Sequence, residues 1–477
     1  MQISSSGWFK IRDYIKEKIF FGNEPTPELL AILTVYFVQG ILGLSRLAVS
    51  FFLKDELGLS PAEVSALFGI IVLPWVIKPL FGFISDGVPI LGYRRRPYLV
   101  LSGILGAIAW VGMATIVHTS SGAITAIALS SLSVAVSDVI VDSLVVQRAR
   151  VESQAQAGAL QSICWATSAF GGLITAYFSG FLLEYFTTRT IFLITATFPL
   201  IVSGVAWLIA ESPVEETRED DKNSNFENVK QQIKLLRQAV TQKAIWLPAA
   251  FIFIWQSTPG SESAFFFFTT NELHFQPEFL GRLRLVTSVA ALFGIWIFQR
   301  FLKSVPFRVI FAWSTVLSTV LGLTTLLLVT HANRSLGIDD HWFSLGDNLI
   351  LTVMGEITFM PVLVLAARIC PPGVEATLFA LLMSVFNFAG LVSHELGAVL
   401  THYLGVTETN FDNLWLLVTI TNVSTLLPLP FINWLPAAEE ETPKIIEPGL
   451  KNGEEQEILP NLIPEIILQQ QPEEVVD

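Results

Sequence analysis

Residues 68–97 read FGIIVLPWVIKPLFGFISDGVPILGYRRRP. The first part is apolar and carries Pro74, Trp75, Lys78 and Pro79; Gly82, Ser85, Asp86 and Gly87 close it, and Arg94, Arg95 and Arg96 follow almost at once. This is a bilayer segment that runs into a tight, charged turn. Three adjacent arginines beside its end place that end on the cytoplasmic side.

The pattern repeats along the chain. Over 477 residues, 52% are hydrophobic and 14% charged, a balance too apolar for an ordinary soluble fold. Stretches of about 20 apolar residues predict twelve spans, at 28–52, 61–84, 97–118, 122–147, 156–183, 190–210, 244–270, 279–300, 307–330, 345–367, 375–402 and 412–434. Alternate connections differ sharply in Lys and Arg. One side carries nineteen and the other three, Lys54, Arg189 and Arg334, or five with Arg282 and Arg284 at the outer end of span 8. Both termini are therefore expected in the cytoplasm.

The net charge of −13 does not point to a basic partner, because −9 of it lies in the tail from Glu439 to Asp477. That tail is rich in Pro, Glu and Gln and is expected to be disordered over 435–477. The amino-terminal segment 1–27 carries Lys10, Arg12, Lys16 and Lys18 among Trp8, Ile11, Ile15 and Phe20. It has neither a cleavage site nor transit-peptide length, so an interfacial helix at a bacterial inner membrane is the simplest expectation. The two cysteines, Cys164 and Cys370, make a structural disulfide improbable. No zinc motif, phosphate-binding loop or nucleotide fold is present, and no nucleophile with a base. No cofactor, metal, nucleic acid or enzymatic activity is expected.

A polar, mixed-charge stretch at 212–243 separates six spans, 28–211, from six more, 244–434. Val151, Glu152 and Ala155 open span 5 after Arg148 to Arg150, while Val374, Glu375 and Ala376 open span 11 after Arg368. Each half thus ends one helix with Arg and starts the next near Glu, where a carboxylate suits the helix N-terminus. Two parallel six-helix bundles are the arrangement of a transporter that rocks around a midplane site. The opening loop has no full second copy, since span 8 ends at Phe298, Gln299, Arg300, Lys303 and Arg308 without an acid matching Asp86.

Inside the spans stand Arg46, Lys78, Asp138, Asp142, Glu262, Glu356 and Glu395. Left facing lipid they would cost on the order of 20 kcal/mol together. They must face one another, a cavity or water. Asp138 and Asp142 lie four residues apart, hence on one helix face, and Glu262 follows Pro259 and Gly260, where a break frees backbone groups.

The stretch DELGLSPAEVSALFGIIVLPWVIKPLFGFISDGVPILGYRRRPYLVLSG, Asp55 to Gly103, closely resembles the folate-biopterin transporter family in its cyanobacterial and plastid branch. SDVIVDSLVVQRAR, Ser137 to Arg150, and LAARICPPGVEATLFALLMSVFNFAG, Leu365 to Gly390, fit the same family. The resemblance spans nearly all twelve helices and omits the tail; the Phe265 to Phe268 run matches no pattern of that family. It implies an all-α membrane protein of the major-facilitator fold, twelve transmembrane helices in two six-helix bundles, importing folates or pterins with H+.

In such a bundle spans 1, 4, 7 and 10 line the cavity, so the resemblance puts Arg46, Asp138, Asp142, Glu262 and Glu356 there. A pterin ring offers N–H groups to a carboxylate, a glutamate tail offers a carboxylate to Arg, and an aromatic can stack on the ring. Asp138, Glu262 or Glu356 suit the first role, Arg46 the second, and Trp75, Trp165 or Trp255 the third. Asp138, Asp142 and Glu262 are the proton-coupling candidates. Arg46 reads equally well as a structural partner of Asp138 or Asp142, Glu356 as a helix-packing group, and the tryptophans as lipid-facing.

The same resemblance and their position make Asp86, Arg94, Arg95 and Arg96 a conformational lock at the cytoplasmic face, with Arg148, Glu152, Arg368 and Glu375. Lys78 belongs either to that lock or to the cavity. A monomer in the cell inner membrane is expected. The alternatives are transport of another solute, a sugar or drug, and delivery of chlorophyll-type pigment to light-harvesting proteins on the same fold.

Overall fold

A computed structural model describes residues 24–149, 154–213, 241–302, 305–368 and 375–436. Most of the amino-terminal segment, the expected linker and the acidic tail lie outside the described residues. Helices cover the described chain: α1 (Pro27–Glu56), α2 (Pro61–Ser85), α3 (Arg96–Thr115), α4 (Ser120–Ala149), α5 (Gln154–Tyr185) and α6 (Thr188–Leu208). After them come α7 (Lys243–Gln256, resuming as Glu262–Phe267), α8 (Pro277–Leu302), α9 (Phe307–Val329), α10 (Asp340–Arg368), α11 (Glu375–Tyr403) and α12 (Leu414–Trp434).

Each expected span coincides with one helix. Among the described residues ten helices are long and apolar enough to cross a membrane. The two others are α7, which is broken, and α10, which carries Asp347 and Glu356. Helix starts follow local chemistry. Thr26 caps α1 by accepting from the Leu29 N–H at 3.2 Å, and Ser60 and Glu63 form a reciprocal capping box on α2 ahead of Pro61.

Proline explains two interruptions. Pro79 has no N–H to give the Trp75 carbonyl one turn back, and α2 breaks at Ile77; the Asn387 amide of α11 donates to that carbonyl instead, at 3.3 Å. In α7 the helix stops at Gln256 and resumes at Glu262, as Pro259 and Gly260 predict. Ser393 of α11 donates to the exposed Thr258 carbonyl at 2.6 Å.

Helices α1 and α7 end alike. Each finishes in a π-helical turn, Phe52–Glu56 and Phe268–Glu272, followed by a residue of positive φ, Gly58 (64°) and His274 (56°). The sequences FLKDELGLSP (52–61) and FTTNELHFQP (268–277) align through this corner, so the internal repeat lies here as well as at the start of span 11.

The core sits in four apolar clusters. Two lie toward the Lys54 end of the bundle, and both join the first six helices to the last six: one includes Phe267 with Phe52 and Leu53, the other Leu47 with Phe268 and Leu280. Toward the arginine-rich end the clusters stay separate, one around Leu29, Leu144 and Ile209, the other around Ile245, Val362 and Leu435. Close backbone contact reinforces the Lys54 end. A Cβ on Gly281 of α8 would lie 2.8 Å from the Gly180 Cα of α5. Lys54 donates to the Asn271 side chain at 2.8 Å, and Ser65 to the His394 carbonyl at 2.9 Å. The bundle is thus sealed at the Lys54 end.

Candidate functional site

The α2 break sets Lys78 against α4. Its ammonium contacts Asp138 Oδ2 and lies 3.0 Å from Asp142 Oδ2, so one cation bridges two carboxylates one helical turn apart. Two side chains of α1 complete the cluster. Tyr36 donates to Asp142 Oδ1 at 2.6 Å and Gln39 donates to Asp138 Oδ1 at 3.0 Å. Asp138 is buried, at 8% exposure, whereas the Asp142 side chain is 44% exposed. One carboxylate is therefore enclosed and its neighbour meets solvent. The Lys78 ammonium also lies 5.6 Å from the Trp75 ring centroid, a cation–π distance.

Lys78 thus lies in the aspartate cluster. Among the described residues Arg46 has no ion pair, and its side chain is exposed although it stands inside α1. Trp255 is half-buried with its ring edge-on to Phe311 at 6.0 Å, and Trp165 is 66% exposed. Glu262 is exposed beside Gly260, and Glu356 is half-buried where α10 crosses Gly294 of α8. Neither is hydrogen-bonded to the aspartate cluster.

The arginines of residues 94–96 brace the first six helices. Glu211, just past α6, accepts from the backbone N–H of Arg94 at 2.6 Å, Arg95 at 2.9 Å and Arg96 at 3.0 Å. The buried Arg95 guanidinium reaches Ser85 Oγ at 3.2 Å, and that of Arg96 donates to the Ile209 carbonyl. Arg148 at the end of α4 donates to Thr26 Oγ1 at 2.9 Å. The side chains of Asp86, Arg368 and Glu375, and the whole of Glu152, lie outside the described residues.

Sequence reasoning passed over Asp347. This buried carboxylate of α10 accepts from Thr324 at 2.6 Å and Thr325 at 2.8 Å, where α9 bends. Its position within span 10 was the available signal.

Residues 39–449 match the BT1 family. The chain belongs to the BT1 family. A folate-biopterin transporter of Synechocystis is 63% identical, with 90% of this chain and 86% of that protein covered. A probable folate-biopterin transporter of Arabidopsis thaliana is 32% identical over 85% and 82% of the two chains. A folate transporter of Plasmodium falciparum is 31% identical over 85% and 88%. The D-xylose-proton symporter structure superposes with a TM-score of 0.64 at 15% identity, covering 87% of this chain and all of that one. A transporter of the POT family gives 0.63 at 15% identity, over 88% and 99%. At that identity the likeness shows the fold alone, and the fold is that of major-facilitator transporters. This BT1-family chain is a multi-pass membrane transporter and not an enzyme.

Proposed function

We propose that this chain imports folates or related pterins by alternating access coupled to H+, with Lys78, Asp138 and Asp142 as the coupling site. The observation that carries the reading is the bridge from Lys78 to both aspartates. A proton on Asp138 removes one of the two charges that hold the ammonium. The ammonium is then tethered by Asp142 alone, which is partly in solvent. Protonation thereby alters the link between α2 and α4. Pterin N–H groups compete for the same carboxylate oxygens, and Trp75 offers a face for the ring.

The two six-helix sets, 28–211 and 244–434, are the moving bodies, with 212–243 as their connection. The seal at the Lys54 end and the separate clusters at the arginine-rich end correspond to a state open toward the cytoplasm, if the Lys and Arg bias orients the chain with both termini inside. The arginine-rich corner at 94–96, together with Asp86, Arg148, Glu152, Arg368 and Glu375, closes that face in the opposite state. A monomer in the cell inner membrane suffices, and the similarity to folate-biopterin and folate transporters supports the substrate class.

The test is uptake of labelled folate into a folate-auxotrophic bacterium that expresses the chain, with and without a protonophore. Accumulation should disappear with the protonophore and in Asp138→Asn, by at least tenfold in each case. Wild-type accumulation in Asp138→Asn would remove that residue from coupling. Protonophore-insensitive uptake would indicate facilitated diffusion or exchange. No folate uptake from well-expressed protein would favour another solute or pigment delivery.

A further inference from the structure

Resting on the folate reading, we infer that Arg46 of α1 and Arg284 of α8 form a two-arginine clamp for the paired carboxylates of a glutamyl tail, one arginine from each six-helix set. Three observations place them together. Leu47 of α1 and Leu280 of α8 belong to the same buried cluster. Arg46 adjoins Leu47, and Arg284 follows Leu280 by one turn on the same helix face. The two guanidinium groups lie close enough to repel each other. Their depths agree: at 1.5 Å per residue, Arg46 is about 15 Å from the end of α1 at Glu56 and Arg284 about 10 Å from the start of α8 at Pro277.

Two like charges brought together inside a membrane protein are costly unless an anion joins them. Among the described residues neither guanidinium has an ion pair, and no carboxylate bridges them. An arginine pair presents parallel N–H donors matched to carboxylate oxygens. The arrangement fits a dicarboxylate better than a single one.

The clamp also stands in register with the aspartate cluster. Tyr36 and Gln39 stand three residues apart on one face of α1, and Arg46 follows seven residues later, beyond the turn at Leu42 and Gly43. Tyr36 and Gln39 hold Asp142 and Asp138, and Arg46 lies about 10 Å further along α1, toward Glu56. A ligand whose N–H-rich head meets the aspartates would therefore extend its acidic tail to the arginines. Arg284 becomes a specificity residue that separates glutamylated from unglutamylated pterins.

The experiment measures binding to the purified full-length chain in nanodiscs for three probes: folate, biopterin, which has no carboxylate, and p-aminobenzoylglutamate, which has only the tail. Arg284→Gln and Arg46→Gln should each weaken folate by at least tenfold and abolish p-aminobenzoylglutamate binding, with biopterin unchanged. Arg284→Lys should recover part of the loss. Melting of the ligand-free variants checks that each is folded. Equal weakening of folate and biopterin, or no weakening of either, would overturn the clamp. If the wild type binds p-aminobenzoylglutamate through Arg284 but neither folate nor biopterin, the clamp stands and the folate reading falls. If the wild type binds none of the three, both fall.

Discussion

At the scale of single residues, Lys78 is the pivot of the site. Among the described residues, removing its charge leaves the buried Asp138 joined to the Gln39 amide and Asp142 to the Tyr36 hydroxyl. Lys78→Met should therefore abolish concentrative uptake while leaving the chain in the membrane, as measured by transport against immunodetected protein. Undiminished accumulation would show that the bridge is not used. Lys78→Met combined with Asp138→Asn tests the converse, since the double change should be milder for folding than Lys78→Met alone, with Asp138→Asn as the third variant. Melting temperatures of the three variants decide this. Asp138 and Asp142 were legible from their spacing of four. The Lys78 bridge was not, because it depends on the break at Ile77, which turns the end of α2 toward α4. Arg284 was legible in principle, as a charge well inside span 8, but counting it with loop charges hid it.

At the scale of elements, the crossing of α5 and α8 has no room for a side chain. A Cβ on Gly180 would lie 2.3 Å from the Pro277 carbonyl oxygen, and one on Gly281 lies 2.8 Å from the Gly180 Cα. Gly281→Leu must separate the two helices, and with them the Lys54 end of the bundle. A cysteine at Thr269, 4% exposed in this conformation, should react with a polar thiol reagent at least tenfold faster in the Gly281→Leu background. The native cysteines, Cys164 and Cys370, are replaced first. Equal rates would mean that α5 and α8 do not control access at that end. The helices themselves were plain in the sequence because lipid forces every span to be long, apolar and self-bonded. The break in α7 followed from Pro259 and Gly260. The paired π-helical corners of α1 and α7 went unread, since their alignment rests on a few residues flanking Glu-Leu and a proline.

For the whole molecule, the seal at the Lys54 end combines two mixed apolar clusters with cross-set hydrogen bonds, one of them from a nearly buried lysine. The Lys54 side chain is 9% exposed, donates to Asn271, and Asn271 in turn donates to the Glu408 carbonyl at 2.8 Å. Lys54→Ala should weaken the sealed state by about 1–2 kcal/mol, a shift of roughly tenfold in the balance between conformations. The same Thr269 cysteine should report it as faster labelling. No change would assign the seal to apolar packing alone. Which end is sealed could not be read from sequence, because both conformations of a rocking transporter place the same residues in the same helices.

The Glu211 carboxylate carries a consequence for how the chain is made. It accepts from three successive N–H groups at the start of α3, yet it is synthesised more than a hundred residues later, after α6 has emerged. Until then the α3 entry stays open to water or lipid headgroups. The first six helices therefore complete together rather than in order, and a ribosome stalled before Glu211 would hold five finished helices around one unfinished end.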